Sequence, residues 1–183
     1  MALKKFPYRT VDQIVKKYSD GCEDSYTNHL LKKIKFAKRR GYLRKDEFIL
    51  ICNWKSARTI KKVLANSEKS IERGTMLAIS STDETKIIST LIKLNGVSIA
   101  MASAILMFIN PKKYPVIDIR VWEVLYELEI VKENKAGKSL SKNNWLTFLE
   151  IIRTKAKEYK ISARQVEKAI FLSHKIYQDG NLY

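Results

Sequence analysis

Cysteine is scarce in this chain: Cys22 and Cys52 are the only two among 183 residues. Two thiols cannot build a disulfide framework, a four-cysteine zinc site or an iron–sulfur centre, and they suit a reducing, cytoplasmic compartment. Six glycines and three prolines leave little turn material, which argues against a many-stranded sandwich or barrel. No apolar run reaches the ~18 residues of a membrane span, so no membrane partner is expected. The opening Met1-Ala2-Leu3-Lys4-Lys5-Phe6-Pro7 lacks the apolar stretch of a secretory signal. His29 and His174 stand alone, neither with a second metal-type ligand one helical turn away, and no metal site is expected. Acid is short as well. Nineteen Asp and Glu face 35 Lys and Arg, a net charge of +16.

That charge, on a chain 45% hydrophobic and so able to build a core, points to a polyanionic partner, nucleic acid before others. Lys32, Lys33, Lys35, Lys38, Arg39, Arg40, Arg44 and Lys45 fall in one stretch with no acid until Asp46. Like charges so dense repel one another unless an anion relieves them. A merely solvated surface is the plainer reading. A membrane surface fits poorly, because the stretch lacks a wide apolar face of Trp, Phe and Leu.

The apolar spacing is helical almost throughout, so the expected fold class is all-α. Leu30, Leu31, Ile34 and Ala37 make one stripe over 27–40, ended by Gly41. Phe48, Ile49 and Cys52 face inward on a short helix over 45–54. Ser56 is positioned as N-cap for a helix over 57–65, and Ser67 for the next. Ile87, Ile88, Leu91, Ile92 and Leu94 follow Thr82-Asp83-Glu84-Thr85. The run from Ser98 to Ile109 is apolar all round and belongs at the centre of the fold. Asp118 can cap a helix carrying Val121, Val124, Leu125 and Leu128, and Trp145, Leu146, Leu149, Ile152, Val166, Ile170 and Ile176 mark the inward faces of two final helices.

Between these elements, Leu94-Asn95-Gly96-Val97-Ser98 makes one tight turn between helices. Gly96 lets the backbone turn sharply and approach a partner closely, and the next helix aims its free N-terminal amides at an anion. Pro111 and Tyr114-Pro115-Val116-Ile117-Asp118-Ile119-Arg120-Val121-Trp122 follow. Together these residues resemble the helix-hairpin-helix superfamily of DNA glycosylases, whose hairpin precedes a loop ending in an aspartate at the base-flipping cleft. The resemblance implies a two-lobed helical fold in one unit over 1–183, with hairpin and catalytic loop at 86–122 and the terminal helices in the second lobe. It implies Asp118 as the catalytic carboxylate and Leu94, Asn95, Gly96, Val97, Ser98 and Ala100 as the DNA-contacting hairpin.

Two departures shape the expected chemistry. Family members that also cut the strand carry a lysine nucleophile where this chain has Ala100, and Ser98 replaces the second glycine of the motif. Ala100 cannot form a Schiff base. The iron–sulfur cysteines are missing as well. The implied activity is therefore monofunctional: release of a damaged or modified base from duplex DNA by a monomer, with no cofactor beyond a hairpin-bound monovalent cation of the kind the family carries. Such an enzyme would act in the cytoplasm, or at the nucleoid of a prokaryote. A non-catalytic DNA-binding protein of the same fold is the alternative. Trp54-Lys55-Ser56-Ala57-Arg58 adds Lys55 and Arg58 as phosphate contacts, and Trp54, Tyr114 and Trp122, with Tyr26, are the aromatics from which a base pocket would be drawn. Trp122 reads equally as a core aromatic, and Arg164 as an exposed arginine after the cap Ser162.

Overall fold

The computed structural model describes residues 6–21 and 23–178; Cys22 and the opening residues 1–5 lie outside them. The regular elements among the described residues are all helices, and none is long and apolar enough to cross a membrane. Helix α1 (Val11–Tyr18), capped by Thr10, has no counterpart in the sequence reading. Helix α2 (Ser25–Ile34) starts behind Asp24, whose side chain accepts the Thr27 N–H. The continuous helix expected over 27–40 breaks at Lys35 and Phe36, and α3 (Ala37–Arg40) resumes until Gly41, at φ 88°. Cations crowd successive turns at this break, which opposes one unbroken helix. The exposed Phe36 ring is flanked there by Lys35 and Arg39, 4.7 and 5.2 Å from its centre.

Helix α4 (Lys45–Lys55) leads into a short, irregular turn. Ser56 was expected to cap a helix over 57–65, but its side chain caps nothing. Its carbonyl accepts from Thr59 N–H and Thr59 Oγ1 at 3.4 and 3.2 Å, which tightens 57–59 into a 3-10 turn before α5 (Ile60–Leu64). The later starts follow their caps: Ser67 before α6 (Glu68–Ser80), Asp83 before α7 (Glu84–Leu91), Ser98 before α8 (Ile99–Ile109) and Asp118 before α9 (Ile119–Glu127). Ser141 and Ser162 open α10 (Lys142–Tyr159) and α11 (Ala163–Tyr177) with capping boxes.

Helix α8 is the axis. Its residues from Met101 to Phe108 are all buried, with α2, α4 and α7 packed on it and α6 on α7. A second group forms around α11, which carries α1, α9 and α10. One continuous core joins the groups. Ile176 is 58% accessible rather than inward as its spacing suggested; the last turn of α11 packs instead through Tyr177, edge-on to Phe6 and Tyr8 at 5.9 and 5.8 Å.

The extended segment 114–117 is clamped between the two groups. Ser103 Oγ of α8 accepts the Ile117 N–H at 3.1 Å while donating to Ala100 O at 2.8 Å. Glu167 Oε2 of α11 accepts the Val116 N–H at 3.2 Å. Extended backbone inside a helical protein must find such partners, since an unmet buried amide costs roughly 1–3 kcal/mol. The clamp delivers Asp118 to the seam between the groups.

Candidate active site

The hairpin is a pinned turn. Val97 N–H donates to Leu94 O at 3.1 Å, and Gly96 sits at φ 78°, where residues with a Cβ are strained. The close approach that Gly96 permits is internal: a Cβ there would meet Val63 N and Val63 Cγ2 at 3.0 Å and Lys62 Cβ at 3.1 Å. The turn thus rests on α5. Asn66, absent from the sequence reading, brackets Asn95 from the turn after α5: Oδ1 accepts Asn95 N–H at 2.8 Å and Nδ2 donates to Asn95 O at 2.9 Å. Ser98 Oγ accepts the Met101 N–H at 3.3 Å, which caps α8. Leu94 and Asn95 carbonyls each already accept one N–H, leaving each a single lone pair for a monovalent cation.

Asp118 Oδ1 accepts the Val121 N–H at 3.2 Å, so it caps α9 as its residue type favours. Its other oxygen, Oδ2, faces the Lys55 ammonium at 3.3 Å across a sequence separation of 63. The two side chains are 20% and 15% exposed. Burial pushes the Asp118 carboxyl up, but Lys55 and the Val121 N–H outweigh it and hold the group below the ordinary aspartate range. Lys55, expected at a phosphate, points instead into the seam. Ala100 lies in the same place with no amine.

Two cavities meet at this pair. The first, about 420 Å³, is walled by Lys55 and Arg58, by Ser98, Ala100 and Met101 at the start of α8, and by Gly137, Ser139 and Leu140 of the loop after α9. Gly137, at φ 59°, lies against Ile119, where a Cβ would come within 3.1 Å of its Cα, so the loop packs closely on the start of α9. The second cavity, about 320 Å³, opens on the other side of the pair and is lined by Trp54, Asp118, Arg164, Glu167 and Phe171, among others. The first offers amides and cations, the surface a phosphate seeks. The second offers flat aromatic rings and buried polar groups, as pockets for planar ligands do.

Trp54 is the aromatic that the structure brings to Asp118. Its indole N–H donates to Thr27 Oγ1 at 2.9 Å, and its ring meets Phe108 edge-on at 5.0 Å. Arg164, expected on the surface, lies over that ring with Cζ 5.8 Å from its centre. It is held by Glu23 through Nε at 2.6 Å and Nη2 at 3.1 Å, and it pairs with Glu167. Glu167 and Phe171 follow on the same helix face, one and two turns on. The signal that could have found them is the i, i+3, i+7 spacing of Arg164, Glu167 and Phe171 behind the Ser162 cap.

Two other aromatics do not reach this place. Trp122 is 1% exposed, and its N–H donates to Asn134 O at 3.1 Å and Glu133 O at 3.3 Å, so it anchors the loop after α9 from the core. Tyr114 is buried between Lys113 and Arg153, with Nζ 4.9 Å and Cζ 5.0 Å from its ring centre, and lines neither cavity. Tyr26 is exposed on α2 and lines neither cavity. The basic stretch is partly matched internally, since Arg40 pairs with the buried Glu47 and Lys33 lies 3.8 Å from Asp46. Cys52 is buried in α4, its thiol pushed up to about 12 by burial, and so it is no nucleophile near neutrality. No group of three or more His, Cys, Asp or Glu among the described residues could hold a metal ion.

The fold and site thus define an all-helical protein with a capped, ion-paired aspartate between two cavities. Compared with known proteins, the chain matches no family model, no curated protein and no solved structure.

Proposed function

We propose that this protein is a monofunctional DNA N-glycosylase that removes a damaged or modified base from duplex DNA. The observation that carries the reading is the position of Asp118: a part-buried carboxylate, kept ionised, on the boundary between a cavity of helix amides and cations and a cavity of aromatic walls. Breaking an N-glycosidic bond leaves positive, oxocarbenium-like character on the sugar, and a fixed carboxylate stabilises it and orients the attacking water. The strand's phosphates then lie at the start of α8 and Arg58, and the flipped base lies against Trp54 and Phe171. Flipping costs a few kcal/mol, which stacking against these rings offsets. The helix groups around α8 and α11 serve as the two lobes in this reading, with the terminal helices α1 and α11 together in the second.

Lys55 decides between this reading and its rival. In the free protein its ammonium neutralises Asp118, and arriving phosphates offer Lys55 an alternative partner that frees the carboxylate for the sugar. The same ion pair favours a second reading, a non-catalytic DNA-binding protein in which the aspartate only caps α9 and steadies Lys55. Duplexes each bearing one modified base, incubated with the protein and searched for free base by mass spectrometry, distinguish the two. The enzyme releases a base and leaves an alkali-labile abasic site, with no adduct trapped by borohydride, because water rather than an amine attacks. Binding without release of any base across the panel would leave the non-catalytic reading. A trapped adduct would make Lys55 a nucleophile and end the monofunctional account.

A further inference from the structure

We propose that Glu167 is the general acid of this reaction, giving its proton to the departing base while Asp118 serves the sugar. The inference rests on the glycosylase reading and adds the group that a neutral leaving base requires. Glu167 is 1% exposed and lines the second cavity with Trp54, Phe171 and Asp118. One of its oxygens is committed: Oε2 accepts the Val116 N–H and pairs with Arg164. The other oxygen, Oε1, is engaged by neither of these groups, and the residue lines the second cavity.

The charged groups around it come from four elements. Arg164, Lys168 and Lys175 lie on its own helix, Asp118 heads α9, Lys55 ends α4, and Glu23 and Asp24 precede α2. Glu23 accepts from both Arg164 and Lys168, so neither cation serves Glu167 alone. Burial pushes the Glu167 carboxyl up, Arg164 draws it down, and the Asp118 charge pushes it up again; the balance lies above the ordinary glutamate range. Asp118 is displaced the other way. Two carboxyl groups at one site with pKa values driven apart divide into a proton donor and an ionised partner.

The step balances without any outside reagent. The C1′–N bond breaks with its electron pair going to the base, and the Glu167 proton moves to a ring nitrogen of that base. Water forms the new C1′–O bond and gives its proton to Asp118, and proton exchange with solvent restores both carboxyls. One water is consumed, and a free base and an abasic sugar are formed.

The test compares leaving groups. Single-turnover release is measured against pH for duplexes carrying a neutral purine, hypoxanthine or 8-oxoguanine, and for duplexes carrying cationic N7-methylguanine, which departs neutral and needs no acid. Wild-type release of the neutral base falls as pH rises through the Glu167 pKa, whereas release of N7-methylguanine does not. Glu167→Gln keeps an acceptor for Val116 and Arg164 but has no proton to give. It slows neutral-base release about 10²–10⁴-fold, the usual range for general acid catalysis, and removes the alkaline limb. It slows N7-methylguanine release far less than release of the neutral base. Equal loss on both substrates, loss on neither, or an alkaline limb that survives the substitution would overturn the proposal. So would a wild-type enzyme that releases only the cationic base. Should Glu167→Gln not fold, the wild-type profiles still decide, since an alkaline limb on both substrates or on neither contradicts the assignment. Wild-type protein that releases no base at all would instead remove the glycosylase reading beneath it.

Discussion

Asn66 offers a way to loosen the hairpin without touching either cavity. Its amide holds both backbone groups of Asn95 and also donates to Val63 O at 2.8 Å. Asn66→Ala removes all three bonds. Val63 O keeps a partner in the Asn66 backbone N–H at 3.2 Å, so the loss that counts is the pair to Asn95. At about 0.5–1.5 kcal/mol net per hydrogen bond, the cost is about 1–3 kcal/mol. For a chain of this size each kcal/mol lowers Tm by about 2–4 °C, so a fall of about 2–12 °C is expected in a thermal melt. Asn66→Asp is the sharper control. It keeps the acceptor for Asn95 N–H but sets a carboxylate oxygen against two carbonyls, and at neutral pH it should lose at least as much as alanine and recover on acidification. DNA affinity should weaken for both variants, because the start of α8 is held in place through this turn. A Tm within about 1 °C of wild type, with unchanged affinity, would show that the turn is held by something other than Asn66.

Trp122→Phe should lower stability by about 1–3 kcal/mol, through lost packing volume and two loop carbonyls left without the indole N–H. The same variant should not alter which bases are bound or released, because Trp122 lies outside both cavities; a changed preference would return it to the pocket. Acid should destabilise the protein through Asp118, Glu23, Asp12 and Asp24, all held below their ordinary range in the fold. Their contribution is complete above the unfolded carboxylate pKa near 4 and is lost as pH falls through the lowered folded values. Glu167, raised in the fold, acts with the opposite sign: its contribution is complete below the unfolded carboxylate pKa and is lost as pH rises through its raised folded pKa. Urea melts at stepped pH should therefore show a steep acid decline and a shallower slope above it, and stability that rises as pH falls below 4 would contradict the sign for the aspartates.

Much of the helical layout was legible because two local rules agree along the chain. Apolar residues recur at helical spacing, and Ser67, Asp83, Ser98, Asp118 and Ser162 each accept the amide that an N-cap should. Ser56 has the right residue type, yet its carbonyl closes a 3-10 turn and its side chain caps nothing. Asp118 was legible from its place after the hairpin. Its partner was not, because the ion pair to Lys55 closes a separation of 63 residues, far beyond any local pattern. Arg164 illustrates the same limit: an arginine in a first helical turn looks solvent-bound until Glu23 and Glu167 are folded against it. Aromatic residue type likewise said nothing about direction. Trp54 faces the seam, whereas Trp122, four residues beyond Asp118, turns into the core.

The role of Asp118 is tested most directly by Asp118→Asn. Asparagine caps a helix about as well as aspartate, so the fold should be retained with a lowered Tm from the lost Lys55 ion pair alone, whereas Asp118→Ala should lose a further ~0.5–2 kcal/mol with the cap. Removing the charge also removes one repulsion towards phosphate, so duplex affinity should hold or improve. Base release under single-turnover conditions should fall on the order of 10²–10³-fold, the usual cost of losing a preorganised electrostatic contact. A folded Asp118→Asn protein that releases base at the wild-type rate would contradict the account and leave Asp118 as the cap of α9 alone.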